Sequence, residues 1–407
     1  MDKSREGKLN NQEVVYFLAL ILLLFVRIIK LSGYSSYIGG RANKLAMLGV
    51  LGLIMLKELI DMEFQWRDII LMGLAGFLSM LVFKDLSLYS VPAVMILFAG
   101  RNIPFEKTAK VAIVTTLSLL LIIAISGRLG IIENYYFGEY TERARGALGF
   151  LYPLYAACLF TNVVTLIVYI KKRSVSYLWI IALALINVYI WRVTDSRLSF
   201  WHTTAFLALI LIHKVTGEHL TVIKGFVKKA FIILIPIFIV MAIISIYFAK
   251  NYNEYVVWMF NLDEALEGRL GLAHKAMYRF GVSMFGDVIP WVGFGLGAEG
   301  NKSGKEYMYV DNMYIQVLIQ YGIVFFVAAL AIVTYVMYLS YRRRDYYLML
   351  ILSFIAVHSL IDDLMLRVWY NTFWIMLFVV MYQGLSEKAS EMSFEKDGKR
   401  SPEGILT

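Results

Sequence analysis

Apolar stretches of roughly 20 residues recur along all 407 residues of this chain, and that recurrence constrains the fold more than any other feature. About 20 residues of helix cross the roughly 30 Å hydrocarbon core of a bilayer. In lipid a backbone must satisfy its own polar groups, which leaves helices or a closed barrel. These stretches are continuously apolar and do not alternate, so the expectation is an all-α polytopic membrane protein. The composition agrees: 60% of residues are hydrophobic and 17% charged, against about half and a quarter in soluble domains.

About twelve spans are expected, near 13–31, 44–61, 68–83, 86–100, 107–126, 150–170, 175–192, 198–213, 230–249, 312–340, 346–361 and 368–385. The chain divides into N-terminal spans over 1–249, an outer loop over 250–311, and C-terminal spans with a tail over 312–407. With the N-terminus in the cytoplasm, the even-numbered connections carry Arg101, Lys107 and Lys110; Lys171, Lys172 and Arg173; Lys214, Lys224, Lys228 and Lys229; and Arg342, Arg343 and Arg344. The tail adds Lys388, Lys396, Lys399 and Arg400. All lie on one side, as the positive-inside rule requires, so the net charge of +9 reflects topology and needs no nucleic-acid partner. Lys3, Arg5 and Lys8 precede the first apolar run without a small-residue cleavage site, which reads as a retained first span. The single cysteine, Cys158, excludes an intramolecular disulfide. The location expected is a plasma membrane, with both termini cytoplasmic.

The opposite side breaks the charge rule. Arg128, Arg143, Arg145, Arg192, Arg197, Arg269, Arg279 and Arg367 fall in or beside outer connections. Arginine near a bilayer is costly and is kept where it faces a cavity or a partner. Its fork-shaped guanidinium matches phosphate oxygens two at a time, so an outward arginine set points to an anionic ligand approached from outside.

The long outer loop is a polar island. Leu266, Leu270, Ala273, Met277 and Phe280 recur at helical spacing, which predicts an amphipathic helix over 263–280. Asp263, Glu264 and Glu267 near its start and Lys275 and Arg279 near its end complement the helix dipole. Such a helix equally fits a membrane-surface element whose arginines meet headgroups. The run from Gly293 to Gly297 lacks the preceding strand and the Lys-Ser/Thr of a nucleotide loop. It reads instead as a glycine turn permitting close backbone approach. Asp311 and Asn312 stand where the tenth span begins, a position that fits a helix cap as well as a substrate contact. His358 near the end of the eleventh span precedes Asp362, Asp363 and Arg367. His202 reads as packing within its span. No H-x-x-x-H pair or spaced carboxylate set stands out, so no catalytic metal is expected.

Four stretches, in order, carry a resemblance. They are Leu266-Glu-Gly-Arg-Leu270, Gly281-Val-Ser-Met-Phe-Gly286, Ile289-Pro-Trp-Val-Gly-Phe-Gly295, and Val310-Asp-Asn-Met-Tyr314 with the span that follows. Together they resemble the signature region of Wzy-type polysaccharide polymerases of capsule and exopolysaccharide clusters, within the O-antigen polymerase and ligase superfamily. Ser196-Arg197 before an apolar span is similar to that superfamily's upstream arginine motif. His358 with Asp362, followed by Asn371-Thr-Phe373, is similar to its late acidic and histidine ending. Many members have His-Asn where this chain has Asp311-Asn312.

The resemblance implies a GT-C-like membrane glycosyltransferase. Its donor and acceptor would be undecaprenyl-diphosphate-linked oligosaccharides, with membrane lipids around it and a chain-length regulator and a flippase as partners. It would work on the outer face without metal or soluble cofactor. On that reading His358 and Asp311 are the candidates to take the acceptor proton. Arg197 and Arg269 would hold the leaving diphosphate, and Arg279, Arg143, Arg145, Arg128, Asn312 and Tyr314 would line the substrate site. Trp258, Trp291, Tyr307 and Tyr309 would offer faces to sugars. Competing readings are a ligase that attaches finished polymer elsewhere, and a transporter of lipid-linked sugars, in which broken midplane helices and inverted repeats are expected.

Overall fold

The computed structural model describes residues 9–60, 64–83, 90–138, 144–216, 231–297, 299–302 and 304–396. The sequence-predicted Arg143, the N-terminal Lys3, Arg5 and Lys8, the basic cluster at Lys224, Lys228 and Lys229, and Lys399 and Arg400 lie outside them. The protein is mostly helical, 74%, and almost without sheet. Fourteen helices are described: α1 (Asn11–Ile29), α2 (Gly40–Ile60), α3 (Trp66–Val82), α4 (Ser90–Ala99), α5 (Phe105–Arg128), α6 (Pro153–Lys171), α7 (Tyr177–Thr194), α8 (Arg197–Thr216), α9 (Ile237–Asn251), α10 (Val257–Ala265), α11 (Arg269–Phe280), α12 (Met313–Arg342), α13 (Tyr346–His358) and α14 (Ile375–Lys396). Six of these, α1, α5, α6, α7, α8 and α12, are long and apolar enough to cross a membrane. α4, α9 and α13 are shorter apolar helices.

α6 is the most enclosed of the long helices, with 78% of its apolar window buried inside the protein. It packs against α5, α7 and α8. Proline at its first turn suits a position whose backbone N–H has no helical partner. A buried polar stripe runs along it. The Asn162 side-chain amide donates to the Thr372 hydroxyl at 2.9 Å, and its oxygen accepts from the Thr372 backbone N–H at 3.1 Å. That clamp fixes the segment 359–374, which joins α13 to α14. An uninterrupted apolar reading places a span at 368–385, whereas residues 359–374 form an irregular buried loop with short 3₁₀ turns at Leu364–Leu366 and Thr372–Trp374. Irregular backbone is tolerated in such surroundings only where protein satisfies it. Here Asp362 Oδ1 accepts from Leu364 N–H, Asn371 Oδ1 accepts from Phe373 N–H, and the Asn371 amide and the Trp374 indole both donate to the Met365 carbonyl.

The two ends of the bundle differ in chemistry. At one end the Arg101 guanidinium, itself buried, pairs with Glu58 at 2.8 Å and with Asp68 at 2.8 Å, while Lys107 pairs with Glu13 at 2.6 Å. Opposite charges are matched there, as buried ions require. Lys172 and Asp345, 3.8 Å apart, join the loops α6–α7 and α12–α13 at that same end. The other end gathers the starts of α6, α8 and α12 and the ends of α5, α7 and α13.

Two expectations, one for the long loop and one for the span after it, are corrected. The periodicity over 263–280 is broken into α10 and α11 by Glu267 and Gly268, both at positive φ (56° and 80°). Asp263 does not end up as an early residue of one long helix. It caps the second helix, accepting from the N–H groups of Leu270 and Gly271 at 2.8 and 3.1 Å and from the Tyr252 hydroxyl at 2.9 Å. The tenth predicted span is likewise interrupted. α12 breaks at Gly322 (φ 82°, ψ 176°), where the loop segment Ser283–Gly286 lies against it. The N–H groups of Ile323 and Val324 donate to the carbonyls of Ser283 and Met284. A Cβ on Gly322 would sit 2.2 Å from the Gly286 nitrogen, so both glycines are required by the close approach.

Candidate active site

At the second end, the loop residues just before α12 face the buried 359–374 loop. Asp311 lies 3.5 Å from Arg269 Nε, with 30% of its side chain exposed against 14% for the arginine. Burial raises the Asp311 carboxyl, and the like charge of Asp363 raises it further. Arg269 opposes both, and the result is a carboxyl near pKa 7, far above the usual carboxylate range. Beneath it Asp363 is buried and accepts from the Tyr309 hydroxyl at 2.6 Å and from Arg367 at 3.4 Å. Burial and the adjacent Asp362 hold Asp363 above its ordinary value, against the pull of Arg367. Tyr152, Tyr155, Tyr307 and Tyr370 surround these charges and feel them electrostatically.

One layer deeper, His358 Nε2 and Asp362 Oδ2 are 3.2 Å apart, and the Cys158 thiol donates to the same oxygen at 3.6 Å. Burial works to raise Asp362, but its hydrogen bonds with His358 and with the Leu364 N–H hold it below the usual range. The His202 ring lies 4.4 Å from that of His358. Cys158, His358 and Asp362 have ligand-type atoms within 4.8 Å of one another. Those atoms are linked by hydrogen bonds among themselves, which accounts for their closeness.

Beside this ring of charges runs a half-open cavity of about 380 Å³, lined by apolar residues of α3, α4, α12 and α14. Its walls include Leu97, Val317, Phe326, Val333 and Phe378. Its polar end holds Arg367, Arg27, Gln316 and Gln320. Arg27 Cζ also lies 4.2 Å above the Trp369 ring. Arg367 thus borders both the charged ring and the apolar cavity. The break at Gly322 falls in the cavity wall, between Tyr321 and Phe325, where non-helical backbone is tolerated.

The structure brings together Asp311 and Arg269, and places His358 below them with Asp362. It assigns other work to several residues that the sequence marks. Asn312 is the N-cap of α12, accepting from Ile315 N–H at 3.1 Å, while its amide donates to Ser245 and to the Leu360 carbonyl. Tyr314 is buried, and its hydroxyl donates to the Ala356 carbonyl at 2.8 Å. Arg197, 57% exposed, pairs with Asp195 in the α7–α8 turn, and Arg279, 52% exposed, pairs with Glu306. Neither ion pair is part of the ring. Arg145 donates to the Thr194 carbonyl at 3.0 Å and lies over Tyr152 at 5.7 Å, on the rim. Arg128 is exposed at the end of α5.

The aromatic residues are also spoken for by protein. Tyr307 stacks on Phe294 at 4.1 Å, and the Trp291 indole donates to Gln320. Trp258 packs edge-on to Phe248 at 6.3 Å. The glycine turn does allow a close approach. Cβ atoms on Gly293 and Gly295 would stand 3.4 Å from Tyr309 and 3.1 Å from the Tyr155 hydroxyl.

Arg367, Asp363 and Arg27 carry central positions that the sequence reading leaves unranked. The available signal is the pair Asp363 and Arg367, four residues apart within an apolar stretch. The chain matches no protein-family model, no curated protein and no solved structure.

Proposed function

We propose that this protein is a membrane glycosyltransferase of the polysaccharide-polymerase kind, working on lipid-diphosphate-linked glycans at the outer face of a plasma membrane. A twelve-span, GT-C-like arrangement with cytoplasmic termini belongs to the same reading. The observation that supports it is the junction at Arg367. On one side lies an apolar cavity of about 380 Å³, and on the other lies the ring containing Asp311. A substrate with a long apolar tail, a diphosphate and a sugar has its three parts in that order.

In the transfer, an acceptor hydroxyl gives its proton to the Asp311 carboxylate while its oxygen bonds to the anomeric carbon of the donor. The bond from that carbon to the diphosphate breaks, and the diphosphate leaves with the electron pair. Arg367, with Arg27 at the same end of the cavity, would meet the charge that develops there. Arg269 keeps Asp311 low enough in pKa to be ionised in part at neutral pH. His358, buried against Asp362, is better placed to hold that loop in shape than to reach an acceptor.

The test uses purified protein with lipid-linked repeat units. A ladder of product lengths supports a polymerase, and a single attachment to a foreign acceptor supports a ligase. A second reading, a transporter of lipid-linked sugars, has one observation in its favour: the break in α12 beside the cavity resembles the broken helices of transporters. Movement of lipid-linked sugar across a vesicle membrane without any covalent product would establish that reading and exclude transfer.

A further inference from the structure

A second, chemically different pocket of about 460 Å³ opens at the same end of the bundle, between the 3₁₀ turn Gly33–Tyr37, the end of α5 and the long outer loop. Its polar and aromatic lining comprises Ser36, Tyr37, Glu133, Asn134, Tyr135 and Glu299. Glycines supply much of the remaining wall, so backbone as well as side chains faces the space. Among the described residues two carboxylates and no basic side chain line it, which disfavours a phosphate or diphosphate. Hydroxyls, carboxylates, an amide and an exposed tyrosine ring suit a ligand dense in hydroxyl groups with an apolar ring face. Tyr37 is 75% exposed, so its ring is available to such a face.

The pocket is tied to the charged ring by short lengths of chain. Asn134 Oδ1 accepts from Gly149 N–H at 2.9 Å, and the Gly149 carbonyl accepts from Gly33 N–H at 2.9 Å. From Gly149 to Tyr152, which feels the charges of Asp311 and Arg269, is three residues, at most about 11 Å of extended chain. On the other wall, Glu299 lies three residues beyond Leu296, whose N–H donates to the Leu151 carbonyl at 3.2 Å. Both walls therefore lead back to the segment at Tyr152.

We infer that this pocket is a glycan-binding subsite, which holds an uncharged or amino-sugar part of the saccharide chain while its end lies at Asp311. The inference rests on the glycosyltransferase reading, which supplies the saccharide. It adds a place where the chain is held away from the lipid.

The experiment is a saturation-transfer NMR titration of the full-length protein in nanodiscs. The probe is the lipid-free oligosaccharide released by mild acid from the host cell's own diphosphate-linked repeat unit. Tyr37→Ala, Glu133→Gln and Glu299→Gln are each expected to weaken binding about tenfold, the loss of one good polar or stacking contact. All three positions are exposed, so the bundle is left intact. Arg197→Ala and Arg279→Ala, exposed arginines outside the charged ring, should leave the affinity within about twofold of wild type. The proposal is overturned if wild-type protein shows no transfer of saturation, if the three pocket variants bind as wild type does, or if binding is lost on Arg197→Ala or Arg279→Ala instead. If the pocket variants bind less tightly but the protein makes no covalent product, the subsite stands and the transferase reading fails.

Discussion

Substituting the two charged neighbours of Asp311 should move the pH dependence of transfer in opposite directions. On the proposed mechanism only ionised Asp311 accepts a proton, so kcat/KM should rise with pH through about 7, where the carboxyl titrates. Arg269 stands 3.5 Å away. At that separation two unit charges interact by about 1 kcal/mol in a water-like medium and about 5 kcal/mol at an effective dielectric of 20. With 30% of Asp311 exposed, the lower part of that range applies, equivalent to about one to two pKa units. In Arg269→Gln the acid limb should therefore move upward, from near 7 to about 8 or above. At pH 7 the ionised fraction falls from about half to about a tenth, a fivefold loss of rate, and at pH 9 to 10 most of it returns. Asp363→Asn removes a like charge, and its acid limb should move below that of wild type. Because Asp363 also pairs with Arg367, the height of this second profile should drop, but the position of its limb reports on Asp311 alone. The assay is the initial rate of product formation from lipid-linked repeat units between pH 5 and 10. A limb that stays put in both variants, or moves the same way in both, refutes Asp311 as the proton acceptor.

Arg367→Ala should lower the transfer rate on the order of 100-fold, the usual loss when one charge-stabilising donor is removed, whereas Arg197→Ala and Arg279→Ala should stay within about threefold of wild type. Single-turnover rates of the three purified variants decide between this ranking and the one that the sequence motifs suggest. Gly322→Ala places a Cβ 2.2 Å from the Gly286 nitrogen at a φ of 82°, and should lower the unfolding midpoint by roughly 5 °C or prevent folding. Because Cys158 is the single cysteine and is buried, a thiol-reactive dye reads that midpoint directly. Asn162→Leu removes both bonds to Thr372 and leaves polar groups of the 359–374 loop unpaired, so it should cost about 2 kcal/mol in stability and reduce transfer, measured by the same dye assay and by product yield.

The helical class was legible because apolar length is a one-dimensional property, and each predicted stretch contains a helix in the structure. The interruptions were not. Nothing in the local sequence sets Gly322 apart from glycines that sit quietly within helices such as α2 and α3; its role comes from Gly286, distant along the chain. The full extent of the 359–374 loop escaped for a similar reason, since residues 368–374 read as the start of the last span until Asn162 on α6 is seen to hold Thr372. For the site, the gathering of arginines at one end of the bundle is legible from the order of spans and connections, but their ranking is not. Arg197 and Arg279 each have an acid beside them that satisfies them locally, Asp195 and Glu306, and only the fold shows that Arg367 borders a cavity. At Asn312 the cap won, since its side chain is used on three sides, while Asp311 one residue earlier was left facing Arg269.

Three aspartates within this small region differ in chemistry because they differ in surroundings. Asp362 has the His358 ring and a backbone N–H to accept from, and is held ionised. Asp363, next in sequence, meets Arg367 and Tyr309 but is buried beside Asp362, which raises it. Burial and the like charges of Asp363 and Asp362 raise Asp311, Arg269 offsets them in part, and the carboxyl titrates near neutrality. The two buried acids thus bear on more than the shape of the loop: on the proposed mechanism, their negative charge helps to hold the Asp311 carboxyl above its ordinary value, basic enough to take a proton. A site built this way needs its acids in one cluster and its arginines unequally shared, with Arg269 on the base and Arg367 turned toward the cavity. That division matches the needs of a reaction in which one end of the site must gain a proton while the other receives negative charge.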